Sequence, residues 1–194
     1  MDVPASTTLG SLQTENVTWR LLGALIVFCV QIGLGLREAG ITRPHTTNRV
    51  LLKNFATTCV GGLLFYVLGY SFAFGDGNVF IGYENGLFAL SDTDSYATFI
   101  FQWTLSSTVV SIISGAISER TRTFAYVLIT AVTAGFIYPI IARWVWARNA
   151  WLRDLGFYDG AGGAPIHVLG GFSAFAAAFW VGPRIGRYTA PEDG

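Results

Sequence analysis

Charge is what this sequence has least of. Only 12% of its 194 residues are Asp, Glu, Lys or Arg, about half the fraction usual in soluble domains. That deficit excludes an ordinary water-soluble fold, and a net charge of zero gives no basic character with which to hold nucleic acid. Cysteine is almost missing. Cys29 and Cys59 stand alone in apolar runs, without CxxC spacing, and read as buried small hydrophobes with no disulfide or metal role. There is no Walker loop, no dinucleotide glycine fingerprint, no HExxH pair and no GxSxG elbow, so no metal or other cofactor is expected. The first twenty residues lack the basic, apolar and small-residue series of a cleaved signal peptide.

What fills the space is apolar: 52% hydrophobic residues, 15% aromatics and 23 glycines. Gly160 to Pro183 runs 24 residues with His167 as its sole ionisable side chain, and about 20 apolar residues cross a bilayer. Four comparable runs precede it. The expected membrane spans are about 19–36, 55–75, 95–118, 124–142 and 160–183, giving an all-α, five-span membrane domain over 19–188. A polar, loose segment at 1–18 lies before it and a short tail at 189–194 follows. Asn16-Val17-Thr18 matches a glycosylation acceptor, a weak signal so near a membrane helix. Arg37 to His45 reads as a bend before a helix starting near Thr47. Asp76-Gly77-Asn78 breaks the second span before an acidic, aromatic loop with Glu84, Asp92 and Asp94, which reads as a compact surface cover. Thr121-Arg122-Thr123 is a tight turn that makes the third and fourth spans antiparallel neighbours, and Gly135 with Pro139 should bend the fourth.

Small residues mark expected helix contacts: Gln31, Gly33 and Gly35; Ser107, Ser111 and Gly115; and a ladder of Gly163, Gly170, Gly171, Ala174 and Ala178 around His167. Lys and Arg placement predicts the orientation. Arg37, Arg43, Arg49, Lys53, Arg120, Arg122, Arg184 and Arg187 fall on one side, against Arg20, Arg143, Arg148 and Arg153 on the other. The positive-inside rule then puts the N-terminus outside and the C-terminus in the cytoplasm, in a multi-pass protein of the cell membrane.

An ionisable residue in mid-membrane marks a functional site unless a neighbouring helix merely satisfies it. His167 has no acid, Ser or Cys partner at a recognisable spacing, which counts against an enzyme and leaves no catalytic residue to name. A neutral imidazole can exchange hydrogen bonds with a small polar solute or relay a proton. Aromatics near the outer end, Phe101, Trp103, Trp144 and Trp146, can hold a cation on their ring faces or simply form the interfacial belt. Asp159, just before the fifth span, reads as an N-cap carboxylate and as a negative site favouring a cation.

Blocks of the chain resemble the amino-terminal half of the ammonium transporters, the Amt/Mep proteins with their Rh relatives. These are EAG at 38–40 with NRVLLKN at 48–54, GYSFAFG at 69–75, FQW at 101–103, SGAISERT at 114–121, GFIYP at 135–139, DGAGGAPIH at 159–167 and GPRIGR at 182–187. The resemblance implies a trimer whose subunits each hold a narrow apolar pore. In it ammonium is bound at an outer aromatic vestibule, deprotonated and passed along two facing histidines. Phe101 and Trp146 match vestibule residues, Asp159 the aspartate supporting the outer site, and His167 the first pore histidine. Gln102 matches a residue of the third span with a supporting role.

Two positions depart from the family pattern. Leu105 stands where an outer-gate phenylalanine is usual, and Arg143 where many relatives have histidine, adding positive charge that Asp154 or another acid would have to offset. The family fold has eleven spans, two inverted five-span repeats and a final helix, with the pore between the repeats. Five spans therefore imply a fragment or truncated product of such a transporter, or a chain that assembles with another polypeptide. The alternative is a non-transporting sensor or regulatory membrane protein that keeps the half fold.

Overall fold

A backbone that leaves water must satisfy its own N–H and C=O groups, and a helix does so within one segment. The computed structural model describes residues 5–83, 93–184 and Tyr188. Within them lie five helical rods long and apolar enough to cross a membrane: Glu15–Ile41, Pro44–Phe74, Tyr96–Ile117, Thr123–Asp154 and Gly163–Val181. The described residues contain no strand, only an isolated bridge between Gly77 and Gly82. The all-α class and the five spans read from the sequence are both observed.

The first rod lies in α1 (Ala5–Ile41). The second joins α2 (Thr47–Leu64), a π-helical turn at Phe65–Gly69 and α3 (Tyr70–Phe74). The third is α4 (Thr93–Ile117). The fourth runs through α5 (Thr123–Val132), a π-helical turn at Thr133–Ile137 and α6 (Tyr138–Trp146), followed by the short α7 (Trp151–Asp154). The fifth opens as a π-helical turn at Gly163–Val168 and continues as α8 (Leu169–Val181). Helix reaches back to Ala5, so the polar stretch before Trp19 is not loose from there on. Once an apolar run has nucleated a helix, each added residue gains a hydrogen bond. The loop at 84–92, read as a surface cover, lies outside the described residues.

α4 is the hub. α1 and α8 pack on it, while α2 lies on α5 and α3 on α6. Close approach is set by glycines that sequence spacing did not single out. A Cβ on Gly69 would sit 2.6 Å from the Ala134 carbonyl oxygen, and one on Gly62 would sit 2.7 Å from Trp103 Nε1. Pro139, lacking an N–H, follows the π-helical turn that brings Ala134 to Gly69. Of the expected ladders, Gly170 does press on Ile112, but Gly33, Gly115 and Gly171 have nothing within 4 Å of an added Cβ. Cys29 and Cys59 are exposed, not buried. Lipid is as apolar as a helix interface, so an apolar residue such as either cysteine does not reveal which of the two it faces.

Four spans meet at a buried ion pair. Lys53 of α2 is bonded to Glu38 of α1, and both side chains are 4% exposed. Lys53 Nζ also donates to Ser114 Oγ of α4 at 2.7 Å, and Ser114 donates to Glu38 Oε2 at 3.1 Å. Asn54 Nδ2 donates to Glu38 Oε2 at 3.0 Å, and the ammonium lies 4.1 Å from the Tyr126 ring centroid of α5. Lys53 is therefore an interior residue and not a loop cation. Higher up, Gln31 Nε2 donates to Ser111 Oγ at 2.6 Å, tying α1 to α4 again.

Beyond the membrane, Glu119 fastens three connections. Its φ of 60° is strained for a residue with a Cβ. The carboxylate accepts from the Arg43 backbone N–H at 2.8 Å and the Thr46 hydroxyl at 2.7 Å, and pairs with Arg184 at 3.1 Å. The Arg43 N–H, then the Thr46 hydroxyl, hold its carboxyl below the usual carboxylate range.

Two outcomes follow from these contacts. Replacing Lys53 by Ala leaves Glu38 buried without its cation and should cost on the order of 3–5 kcal/mol, whereas replacing both Glu38 and Lys53 by Leu and Met should recover most of it. Thermal unfolding of the protein in detergent checks this; equal losses in the single and double variants would refute it. Because the Glu119 carboxyl is depressed in the fold, its contribution is complete above the unfolded carboxylate value of about 4.3 and is lost as pH falls through the lower folded value. Amide exchange at Arg43, corrected for the intrinsic pH effect, should rise over that acidic window in the parent and be high throughout in Glu119→Ala, which removes the acceptor.

Candidate functional site

The fifth span opens on a cap that its local sequence builds. Gly162 takes φ 80°, a left-handed conformation that suits a residue without a Cβ. That turn folds the chain back so that Asp159 Oδ2 accepts from the Gly162 N–H at 2.7 Å and Oδ1 from the Ala164 N–H at 3.0 Å. The capping role read from the sequence is thus observed, with a carboxylate placed where the helix dipole favours it. Pro165 sits in the first turn, where its missing N–H is tolerated.

Beneath the cap lies one apolar cluster. Leu105 of α4, Tyr138 and Ala142 of α6, and Ile166 of the fifth span are buried in it, and Phe101, Trp103 and Trp146 pack against it half-buried. Phe101 and Trp146 thus each pack against the cluster that buries Leu105. Phe101 also presses on the first span, 3.2 Å from where a Cβ on Gly23 would be. Gln102 now has a definite partner: its Oε1 accepts from the Tyr138 hydroxyl at 2.8 Å, locking α4 to α6 beside the cluster.

His167 does not join that cluster. It is exposed, on a broad face of the fifth span that also exposes Phe172, Phe175 and Phe179, each at least 70%. Gly171, a turn further on, meets nothing within 4 Å. Among the described residues no side chain hydrogen-bonds to the imidazole. Its neighbour Ile166 is buried, so the fifth span carries the apolar cluster on one side and the imidazole on its open side.

Arg143 resolves differently from the expectation. It is 1% exposed, and its acceptors are backbone carbonyls: Gly75 at 2.7 Å, Asn78 at 2.8 Å and Ala73 at 3.3 Å. Asp154 lies exposed in α7 and is not its partner; the acid whose charge offsets it is Asp76. A cation at the C-terminal end of α3 gathers carbonyls the helix has left free. Gly82 fits the same knot, since a Cβ there would come within 2.9 Å of Arg143 Nη1. The sequence signal was available in the break at 76–78, which leaves carbonyls needing donors. Glu38, Lys53 and Ser114 lay in the blocks quoted above, yet no spacing rule joins residues so far apart.

Residues 17–194 match the Ammonium Transporter Family. Ammonium transporter 3 of Dictyostelium discoideum is 41% identical over 89% of this chain and 40% of its own length. Ammonium transporter 1 member 3 of Solanum lycopersicum is 37% identical over 90% of this chain and 40% of its own length. Among solved structures, one named Sensor Amt Protein superposes with a TM-score of 0.84 at 34% identity, covering 91% of this chain and 46% of that one. A mutant of Candida albicans Mep2 gives a TM-score of 0.77 at 28% identity, covering 87% and 39%. The chain thus spans about two-fifths of the length of the curated relatives it matches. On sequence and fold together, the chain belongs to the ammonium transporter family and holds the first five-span repeat of its eleven-helix architecture.

Proposed function

We propose that this chain supplies one half of a pathway for ammonium or ammonia across the cell membrane. The observation that carries the reading is His167, an imidazole exposed on a face of the fifth span that nothing described in the chain covers. In a bilayer such a face is costly against lipid and calls for a second protein surface. A matching repeat laid on it would enclose the imidazole in a narrow, dry conduit. Ammonium is drawn to the outer aromatics Phe101 and Trp146, with Asp159 adding negative charge at the mouth, and gives up its proton to water at the outer mouth as ammonia enters. Ammonia then passes His167, which exchanges hydrogen bonds with it. Leu105 acts as an apolar gate without a ring face, and Gln102 holds α4 to α6 behind it. At native length the protein is a homotrimer with its N-terminus outside and C-terminus in the cytoplasm. Taking Lys53 and Arg143 out of the charge comparison, as interior residues, leaves the bias in the same direction.

A second reading, a membrane sensor that keeps the fold, is favoured by Leu105 and by the likeness to the structure named Sensor Amt Protein. Transport assays separate the two.

Cysteines placed at Asp92 and Thr123 should be labelled by impermeant reagents from opposite sides, outside and cytoplasmic respectively; labelling of both from one side would end the five-span orientation. At native length, in cells lacking their own transporters and with surface expression matched, His167→Ala should slow methylammonium uptake roughly tenfold to a hundredfold, as expected for losing about 1–3 kcal/mol of hydrogen bonding. Leu105→Phe should tighten apparent affinity, since a ring adds about 0.5–2 kcal/mol of cation attraction. Absence of uptake in parent and variants alike, with ammonium still altering the protein's conformation, would favour the sensor.

A further inference from the structure

At the end of the molecule opposite the Asp159 cap, a cavity of about 410 Å³ opens between the first connection, the Glu119 turn and the end of the fifth span. Five of its lining residues are cationic, Arg43, Arg49, Lys53, Arg122 and Arg184, against one carboxylate, Glu119. Two of those charges are spent within the fold: Lys53 pairs with Glu38 and Arg184 with Glu119. Glu119 is in addition bonded to the Arg43 N–H and the Thr46 hydroxyl, so its negative charge is already matched. Arg49 and Arg122, both exposed on the cavity wall, have no carboxylate partner among the described residues.

A second observation points to a ligand. Ser118 also lines this cavity and is 1% exposed, yet its Oγ has no hydrogen-bond partner. A buried hydroxyl left unsatisfied costs stability and calls for an acceptor. Guanidinium forks beside a hydroxyl donor match a tetrahedral oxyanion with several acceptor oxygens. The cavity lies just past Ile117 and before Thr123, at the ends of two spans, which is headgroup depth in a bilayer.

We propose that this cavity binds a phosphate group through Arg49, Arg122 and the Ser118 hydroxyl, carried either by an anionic lipid headgroup or by free phosphate. The site is independent of the transport reading, because none of its residues belongs to the pathway around His167.

The test uses the protein purified at its native length in a neutral detergent. Thermal stability is followed while adding a short-chain phosphatidylinositol phosphate, short-chain phosphatidylcholine, or inorganic phosphate at constant ionic strength. Saturable stabilisation should appear with a phosphate-bearing probe. Arg49→Gln and Arg122→Gln should each weaken the apparent affinity about fivefold to tenfold, the effect of one arginine at a headgroup. Ser118→Ala, which alters no charge and carries the test if an arginine variant fails to fold, should weaken it severalfold. Arg37→Gln, an exposed cation outside the cavity, should change nothing. Stabilisation by the phosphoinositide alone assigns a lipid headgroup; stabilisation by inorganic phosphate as well assigns the free ion. No saturable shift, or equal weakening by Arg37→Gln with no effect of Ser118→Ala, would show only a diffuse basic surface and overturn the proposal.

Discussion

Taking an ammonium and a carboxylate into the interior of a membrane protein costs several kcal/mol per ion unless the geometry returns it. At Lys53 and Glu38 the return comes from four spans at once: Asn54 and Ser114 complete the hydrogen bonding, and the Tyr126 ring faces the ammonium. Hydrophobic burial gives helices in lipid little reason to choose one partner over another, because the tails are as apolar as the side chains. A polar knot does give a reason, since any other register of α1, α2, α4 and α5 strands a charge. The packing of the upper half then follows. With α4 held against α1, its outer turns press Phe101 on the first span and present Gln102 and Leu105 to the cluster shared with α6 and the fifth span, which the Gln102–Tyr138 bond closes.

The two sides of the fifth span then acquire different work. Ile166 completes the apolar cluster under the Asp159 cap, while His167, its neighbour in sequence, is left on the open side with Phe172, Phe175 and Phe179. The π-helical turn at Gly163–Val168 widens the helix where these two residues diverge, a local departure that often accompanies functional positions. An open face bearing an imidazole is consistent with a repeat whose partner lies elsewhere, and with a chain that covers about two-fifths of its relatives.

What the sequence made legible was whatever is encoded locally or by period. The five apolar runs gave the spans, the Asp-Gly-Ala-Gly-Gly stretch gave the Asp159 cap, and Pro44 with Thr47 gave the start of α2. What it hid was direction and distance. Cys29 and Cys59 look like interior residues because lipid and protein demand the same apolarity of them. Lys53 looked like a loop cation because its partner is fifteen residues away across a bend. Arg143 looked like a charge in need of an acid; Asp76 offsets it, but its hydrogen bonds go to free carbonyls at the end of α3, which no spacing in the sequence revealed. The family resemblance named the candidate residues without their contacts, so the division between Leu105, buried, and His167, exposed, came only with the fold.

The central claim is that the face bearing His167 meets protein, not lipid, in the native assembly. Spin labels at Gly171 and Phe175, with a third at Leu25 on the exposed side of α1 as the lipid reference, test it in the native-length protein in bilayers. Collision with dissolved oxygen, which concentrates in the hydrocarbon, should be high at Leu25 and low at both positions of the fifth span. Oxygen collision at Gly171 and Phe175 equal to that at Leu25 would show that lipid covers this face, and no conduit past His167 could then exist.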